Sequence, residues 1–120
     1  VTQEDQVIST FESIVRDFGH VDVLVTAAGI VDNVEAENYP YARWRKMLDV
    51  NLDGTFLWAR EAGRHMLQES IRGSIILVGS MSGNICVRPQ KQAAYNAVCL
   101  TFSFFLPLSV FVPENVVDLG

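Results

Sequence analysis

"VDVLVTAAG", residues 21–29, is the stretch on which the fold of this chain turns. Its first five residues form a short, nearly continuous apolar run rich in valine, which predicts a parallel strand buried on both faces. The small residues that follow predict a tight strand exit. Further along, "SIILV" at residues 74–78 repeats the pattern and leads into "GSMSG" at residues 79–83. Between the two runs Pro40 suits a first helical turn, and Trp44, Leu48, Leu52, Phe56, Ala59, Gly63 and Met66 recur at helical spacing until Gly73. Ahead of the first run Thr2 and Asp5 resemble a capping box, and Val7, Ile8, Phe11, Ile14, Val15 and Phe18 mark one face of a helix stopped by Gly19. A further helix opens at Tyr95. Helix, strand, helix, strand, helix is the order of a doubly wound α/β parallel sheet, with right-handed crossovers.

The 120 residues suffice for one domain with a modest core. A formal net charge of −5, with the acidic residues scattered, argues against nucleic acid or an anionic membrane as partner. Cys86 and Cys99 lack metal or redox spacing and read as reduced thiols, which fits a cytoplasmic protein. His20 and His65 have no metal-ligand spacing to a partner, so no metal site is expected. The sequence opens at Val1 with no initiator Met, basic n-region or apolar h-region, so no secretory signal is visible in it, and the expectation is that N-terminal sequence is missing.

Ligands of doubly wound sheets occupy the crevice beyond the carboxyl ends of the strands, so the residues after each apolar run carry the information. Small residues at 26–29 and 79–83 let a backbone approach a flat ligand, and they serve equally well as ordinary turn residues. Ser80 lies at the second strand exit, and Tyr95 begins the next helix on the same side. A serine and a tyrosine converging there suit proton transfer to a carbonyl oxygen. No His or Cys base pattern accompanies the serine, which argues against nucleophilic attack.

"FGHVDVLVTAAGI" at 18–30, "VNLDGTF" at 50–56 and "SIILVGSMSGNICVRPQKQAAYNA" at 74–97 resemble three consecutive signature blocks of the short-chain dehydrogenase/reductase family. The wording is closest to fungal sugar and polyol reductases of the xylulose or mannitol kind. The resemblance implies a Rossmann-like sheet and hydride transfer between NAD or NADP and a small-molecule carbonyl or alcohol. It implies Tyr95 as the proton donor and acceptor, and Ser80 as the group that polarises the substrate oxygen. The family's commonest serine-to-tyrosine interval selects Ser82 instead; Ser80 is preferred because it directly follows the strand. Asn51 takes the place of the asparagine that completes a water-mediated proton relay. Ala28, Gly29, Asn51 and Tyr95 are implied against the cofactor, and Asp22, at the amino end of the first strand, is structural. The long crossover helix implies a homo-oligomer for the parent protein.

Two departures qualify this. The family's Gly-rich phosphate loop has no counterpart in the chain, so the first βαβαβ half is absent and the fold is incomplete. Four residues after Tyr95, where the family has a lysine, stands Cys99. An unperturbed phenol titrates near pH ~10, and an uncharged thiol does not supply the electrostatic help of an ammonium group. Binding of a cofactor by this chain alone is therefore in doubt, and a non-catalytic fragment serving only subunit association is the alternative. Lys91, four residues before Tyr95, lies on the loop side. The expected division is a partial Rossmann-type domain at 1–97 and an atypical apolar tail at 98–120. That tail is read as translated non-coding sequence, with Val98-Cys99 encoded by a splice donor; a membrane anchor is the other reading of its apolar run, which Pro107 interrupts.

Overall fold

The structure is a computed structural model that describes residues 1–86 and 88–105. The part of the apolar tail from Leu106 onward lies outside the described residues. Helix α1 (Glu4–Phe18) leads to strand β1 (Val23–Thr26); α2 (Tyr41–Leu48) and α3 (Gly54–Gln68) then cross over to β2 (Ser74–Leu77), and α4 (Ala93–Phe105) follows. The strands pair in parallel with Val23 opposite Ser74 and Thr26 opposite Leu77. The incomplete α/β parallel sheet is thus present as two strands and their crossover.

Helix α1 forms where the stripe predicts, but its start differs. The N-cap is Gln3, with no side-chain cap hydrogen bond, so Thr2 and Asp5 do not close a capping box. Its end is Gly19, at φ 90°, whose N–H donates to Val15 O at 2.7 Å. Val7 and Phe11 are buried, whereas Phe18 at the far end is exposed because the sheet does not extend beneath it.

The crossover is one helical path in two registers. The backbone stays right-handed helical through Leu48, Asp49, Asp53 and Gly54, but residues Asp49–Asp53 wind as a π-helical turn between α2 and α3. A π turn takes an extra residue and re-phases the helix after it. The buried line therefore runs through Met47, Asn51 and Thr55 and then Ala62 and Met66, while Phe56 of the predicted stripe is exposed. Helix α3 closes at Ser70, not Gly73. Ile71 N–H donates to Met66 O at 2.8 Å and Ser70 N–H to Leu67 O at 3.4 Å, a Schellman closure with Ser70 at φ 54° in the place glycine usually takes.

Two apolar clusters build the core. Phe11, Ala62 and Met66 pack with Leu24, Trp58 and Ile75 between the helices and one sheet face. Met47, Ala94 and Val98 pack with Ile30, Trp44, Leu77 and Tyr95 around the start of α4. Helix α4 runs unbroken through Val98 and Cys99, so the change of composition there is not marked by a break in the backbone. The expectation of strands buried on both faces fails in this chain. Residues in both strands alternate between half-buried and exposed, because among the described residues helices cover only one side.

Candidate functional site

Beyond the carboxyl ends of β1 and β2 lies a cleft of about 220 Å³, whose walls include Ala28, Gly29, Asn51, Gly79, Tyr95 and Cys99. Residues 27–29 leave β1 exposed and without bulky side chains. A methyl group at Gly29 would meet the Asn51 carboxamide, nearest at Oδ1, 3.5 Å, an ordinary contact. Packing within the chain therefore does not require glycine there.

Asn51 shapes this wall from below. It is 5 % exposed, and its carboxamide accepts from Ile30 N–H at 2.8 Å and donates to Ile30 O at 2.8 Å. Its second amide proton faces Met47 Sδ at 3.3 Å, and its backbone carbonyl accepts the Thr55 hydroxyl at 2.8 Å. Both amide protons are thus engaged within the chain. Asn51 holds the loop after β1.

The second wall is the turn after β2. Ser80 caps the short 3-10 turn Met81–Gly83, its hydroxyl accepting from Ser82 N–H at 3.2 Å, while Ser82 itself is buried beneath the turn. Cys99 is 4 % exposed, and burial pushes its thiol above its ordinary pKa against the opposing pull of the nearby Tyr95 and Ser80 groups. Gly83 is where α4 presses closest: a methyl group there would lie 2.6 Å from Cys99 C and 2.7 Å from Leu100 N.

A strap that sequence reading did not anticipate ties the two walls together. Val34 and Gln92 form a parallel bridge, Val34 N–H donates to Lys91 O at 2.8 Å, and the Lys91 ammonium pairs with Glu35. Lys91 is thus committed to the loop after β1. Nearby, Asp32 accepts the Tyr39 hydroxyl at 3.1 Å and pairs with Arg43. Apart from Arg43 in α2 these residues lie dispersed in loops, so no periodic signal marks them. Asp22 does stand at the amino end of β1, its carbonyl accepting Ser74 N–H at 2.8 Å.

A nicotinamide cofactor fits this cleft in part. The exposed backbone and small side chains at 27–29 and 79 suit a flat ring, and Tyr95 lies beside them. The volume falls below the roughly 300 Å³ at which enclosing ligand sites begin, and no helix N-terminus follows either strand closely enough to seat a diphosphate. The cleft thus has room for a flat ring and lacks a seat for a diphosphate.

Residues 1–98 match the short chain dehydrogenase family. The chain is 41 % identical over 93 residues to the D-arabinitol 2-dehydrogenase (ribulose-forming) of Scheffersomyces stipitis, a match covering 77 % of this chain and 34 % of that protein. It is 37 % identical over 98 residues to the NADH-dependent L-xylulose reductase of Ambrosiozyma monospora, across 80 % of this chain and 36 % of the relative. A short-chain type dehydrogenase/reductase from Mycobacterium marinum superposes with a TM-score of 0.84 at 32 % identity, over 87 % of this chain and 41 % of that one. The chain spans about a third of the length of the curated relatives it matches. With the order of elements, the parallel pairing and the cleft all in agreement, the chain belongs to the short-chain dehydrogenase/reductase family.

Proposed function

We propose that this chain carries the carbonyl-handling part of an NAD- or NADP-dependent oxidoreductase acting on a sugar or polyol. The observation that supports this reading is the cleft beyond the two parallel strands, where Tyr95 stands beside a backbone wall held by Asn51, with Ser80 in the turn that follows β2. In this role Tyr95 gives its hydroxyl proton to the carbonyl oxygen during reduction and takes it back during oxidation. Ser80 donates a hydrogen bond to the same oxygen and polarises the carbonyl. Asn51 acts as a positioning residue by fixing the Ile30 backbone. Ala28 and Gly29 leave room for the nicotinamide end, and the cofactor, when bound, supplies or accepts the hydride. The parent protein is a cytoplasmic homo-oligomer in this reading, and its free cysteines suit a reducing compartment.

Cys99 favours a second reading for the chain as it stands. A buried, uncharged thiol lines the cleft beside Tyr95, in the place where the family has a lysine, and supplies no charge to ease proton transfer. The chain is then a non-catalytic member of its family, retaining an association surface. One experiment separates the two: titration with NADH followed by fluorescence, alongside reduction of L-xylulose followed by loss of NADH absorbance, in the chain, Cys99→Lys and Tyr95→Phe. Saturable binding, with turnover that Cys99→Lys raises and Tyr95→Phe abolishes, supports hydride transfer. No binding by either the chain or Cys99→Lys leaves association as its function.

A further inference from the structure

The end of the sheet opposite the cleft is fastened by a histidine. The Val21 N–H, two residues ahead of β1, donates to Nε2 of His65 at 3.3 Å, so a side chain 44 residues away ties down the backbone that enters the strand. His65 stands half-buried in the last turn of α3, its ring edge-on to that of Phe11 in α1 at a centroid distance of 5.7 Å. Beside this contact the Asp22 carbonyl accepts Ser74 N–H at 2.8 Å, the first link between the two strands. The junction is tight. A methyl group at Gly73 would lie 2.6 Å from the Met66 side chain and 2.7 Å from Asp22 O.

We infer that His65 is a proton-sensitive latch at the entry to β1, closed by the neutral ring and opened when the ring is protonated. A ring nitrogen accepts a backbone N–H only while it carries no hydrogen itself, so the bond to Val21 fixes the neutral tautomer with its hydrogen on Nδ1. Protonation places a second hydrogen on Nε2. Two N–H groups then face each other, the ring turns away from Val21, and its edge contact with Phe11 is lost. Glu12 and Arg16 of α1 and Glu61 and Arg64 of α3 line one groove with His65, two charges of each sign. Arg16 pairs with Asp17 at 3.3 Å, and Glu61 is held by Arg60 and Arg64 at 2.8 and 2.9 Å. On the strand side Asp22 pairs with His20 at 3.0 Å, and Glu69, one turn further along α3, is exposed and screened by solvent. The charges around the ring are thus balanced, which leaves the Val21 N–H as the group that distinguishes its two states. The groove opens to solvent and gives protons a path to the ring. Opening frees the backbone ahead of β1 and loosens the end of α3 from α1, at the end of the strands away from the cleft. The latch does not rest on the proposed oxidoreductase role.

The test is nuclear magnetic resonance on the chain with isotope-labelled histidine, together with amide hydrogen exchange. At pH ~8 a long-range nitrogen–proton correlation spectrum should place the His65 hydrogen on Nδ1 and leave Nε2 bare. His20→Gln removes the other histidine and so assigns the signals. Protection of the Val21 amide, corrected for the intrinsic effect of pH on exchange, should fall about tenfold between pH ~8 and pH ~5, the range over which imidazoles gain charge. The Val78 amide, which donates to Thr26 O at 3.0 Å at the far end of the sheet, should hold its protection. His65→Gln offers an uncharged acceptor and should keep Val21 protected at both pH values, whereas His65→Leu should leave it unprotected at both. Circular dichroism reports whether each variant folds, and if His65→Leu does not, the tautomer and His65→Gln decide. A hydrogen on Nε2 at pH ~8, level Val21 protection in the parent chain, or an equal fall at Val78 overturns the inference. So does a pH dependence that survives in His65→Gln, which assigns the effect to the His20 and Asp22 pair instead.

Discussion

The carboxamide of Asn51 holds the backbone of Ile30 from both sides, accepting from its N–H at 2.8 Å and donating to its carbonyl at 2.8 Å. The π-helical turn at residues Asp49–Asp53 makes this possible, because it brings Asn51 into line below Met47 on the buried side of the crossover. A polar side chain there matches the hydrogen-bonding groups of a loop that has left the sheet and has no strand neighbour to satisfy it. The cleft wall is therefore held by a side chain acting as a substitute strand.

Asn51→Ala leaves both Ile30 groups without their partner and should cost about 3 kcal/mol, read as a lower urea midpoint with an unchanged slope. Asn51→Asp keeps the acceptor but sets a carboxylate against Ile30 O, so it should be more destabilised near pH ~7 than near pH ~4, where the carboxyl is protonated. A midpoint for Asn51→Ala equal to that of the parent chain would show that the loop holds itself.

Gly83→Ala places a methyl group 2.6 Å from Cys99 C and 2.7 Å from Leu100 N, both backbone atoms that no rotamer change can move. The turn and α4 must separate, at a cost of about 2 kcal/mol, and Ser80 moves with the turn away from Tyr95. Thermal unfolding by circular dichroism checks the first effect. Unaltered melting would mean that α4 and the turn are not in tight contact at Gly83.

The two thiols should label in a fixed order. Cys86 is exposed and Cys99 buried, and burial raises the Cys99 pKa, so less of its reactive thiolate is present at a given pH. Iodoacetamide near pH ~8 should modify Cys86 first and Cys99 about tenfold more slowly, by peptide mass mapping. A thiol whose folded pKa is raised contributes stability below its ordinary value of 9.0, which is lost as pH rises through the folded value. Unfolding above pH 9.0 should therefore become easier in the parent chain, and less so in Cys99→Ala. Equal labelling of both cysteines contradicts the burial of Cys99.

The strap between the cleft walls should loosen in acid. Lys91 and then Asn38 hold the Glu35 carboxyl below its ordinary value of 4.5. A depressed carboxyl contributes stability above 4.5 that disappears as pH falls through its lower folded value. The pair is exposed, so the effect is small and local. Hydrogen-exchange protection of the Val34 amide, which donates to Lys91 O at 2.8 Å, should fall across that window and lose its pH dependence in Glu35→Gln. Protection that stays level in the parent chain assigns the strap to the Val34 and Gln92 bridge alone.

The runs at 21–25 and 74–78, the helix ended by Gly19 and the small residues at the strand exits are all determined by the sequence itself, because each depends on neighbours a few positions away. The place of Ser80 just after β2 and of Tyr95 in the first turn of α4 was legible for the same reason, since a strand exit and the next helix start share one end of a parallel sheet. Tertiary structure alone decided the rest. The π turn replaced the stripe through Phe56 with one through Asn51, and a polar residue on a buried face is invisible to a search for apolar periodicity. Cys99 was buried because α4 packs against the turn at Gly83, a contact with no local signature. Val23, Val25, Ile76 and Val78 read as buried in the sequence and stand open in the structure. Side-chain pattern reports which residues share a face, and only the arrangement of neighbouring elements determines whether anything covers it.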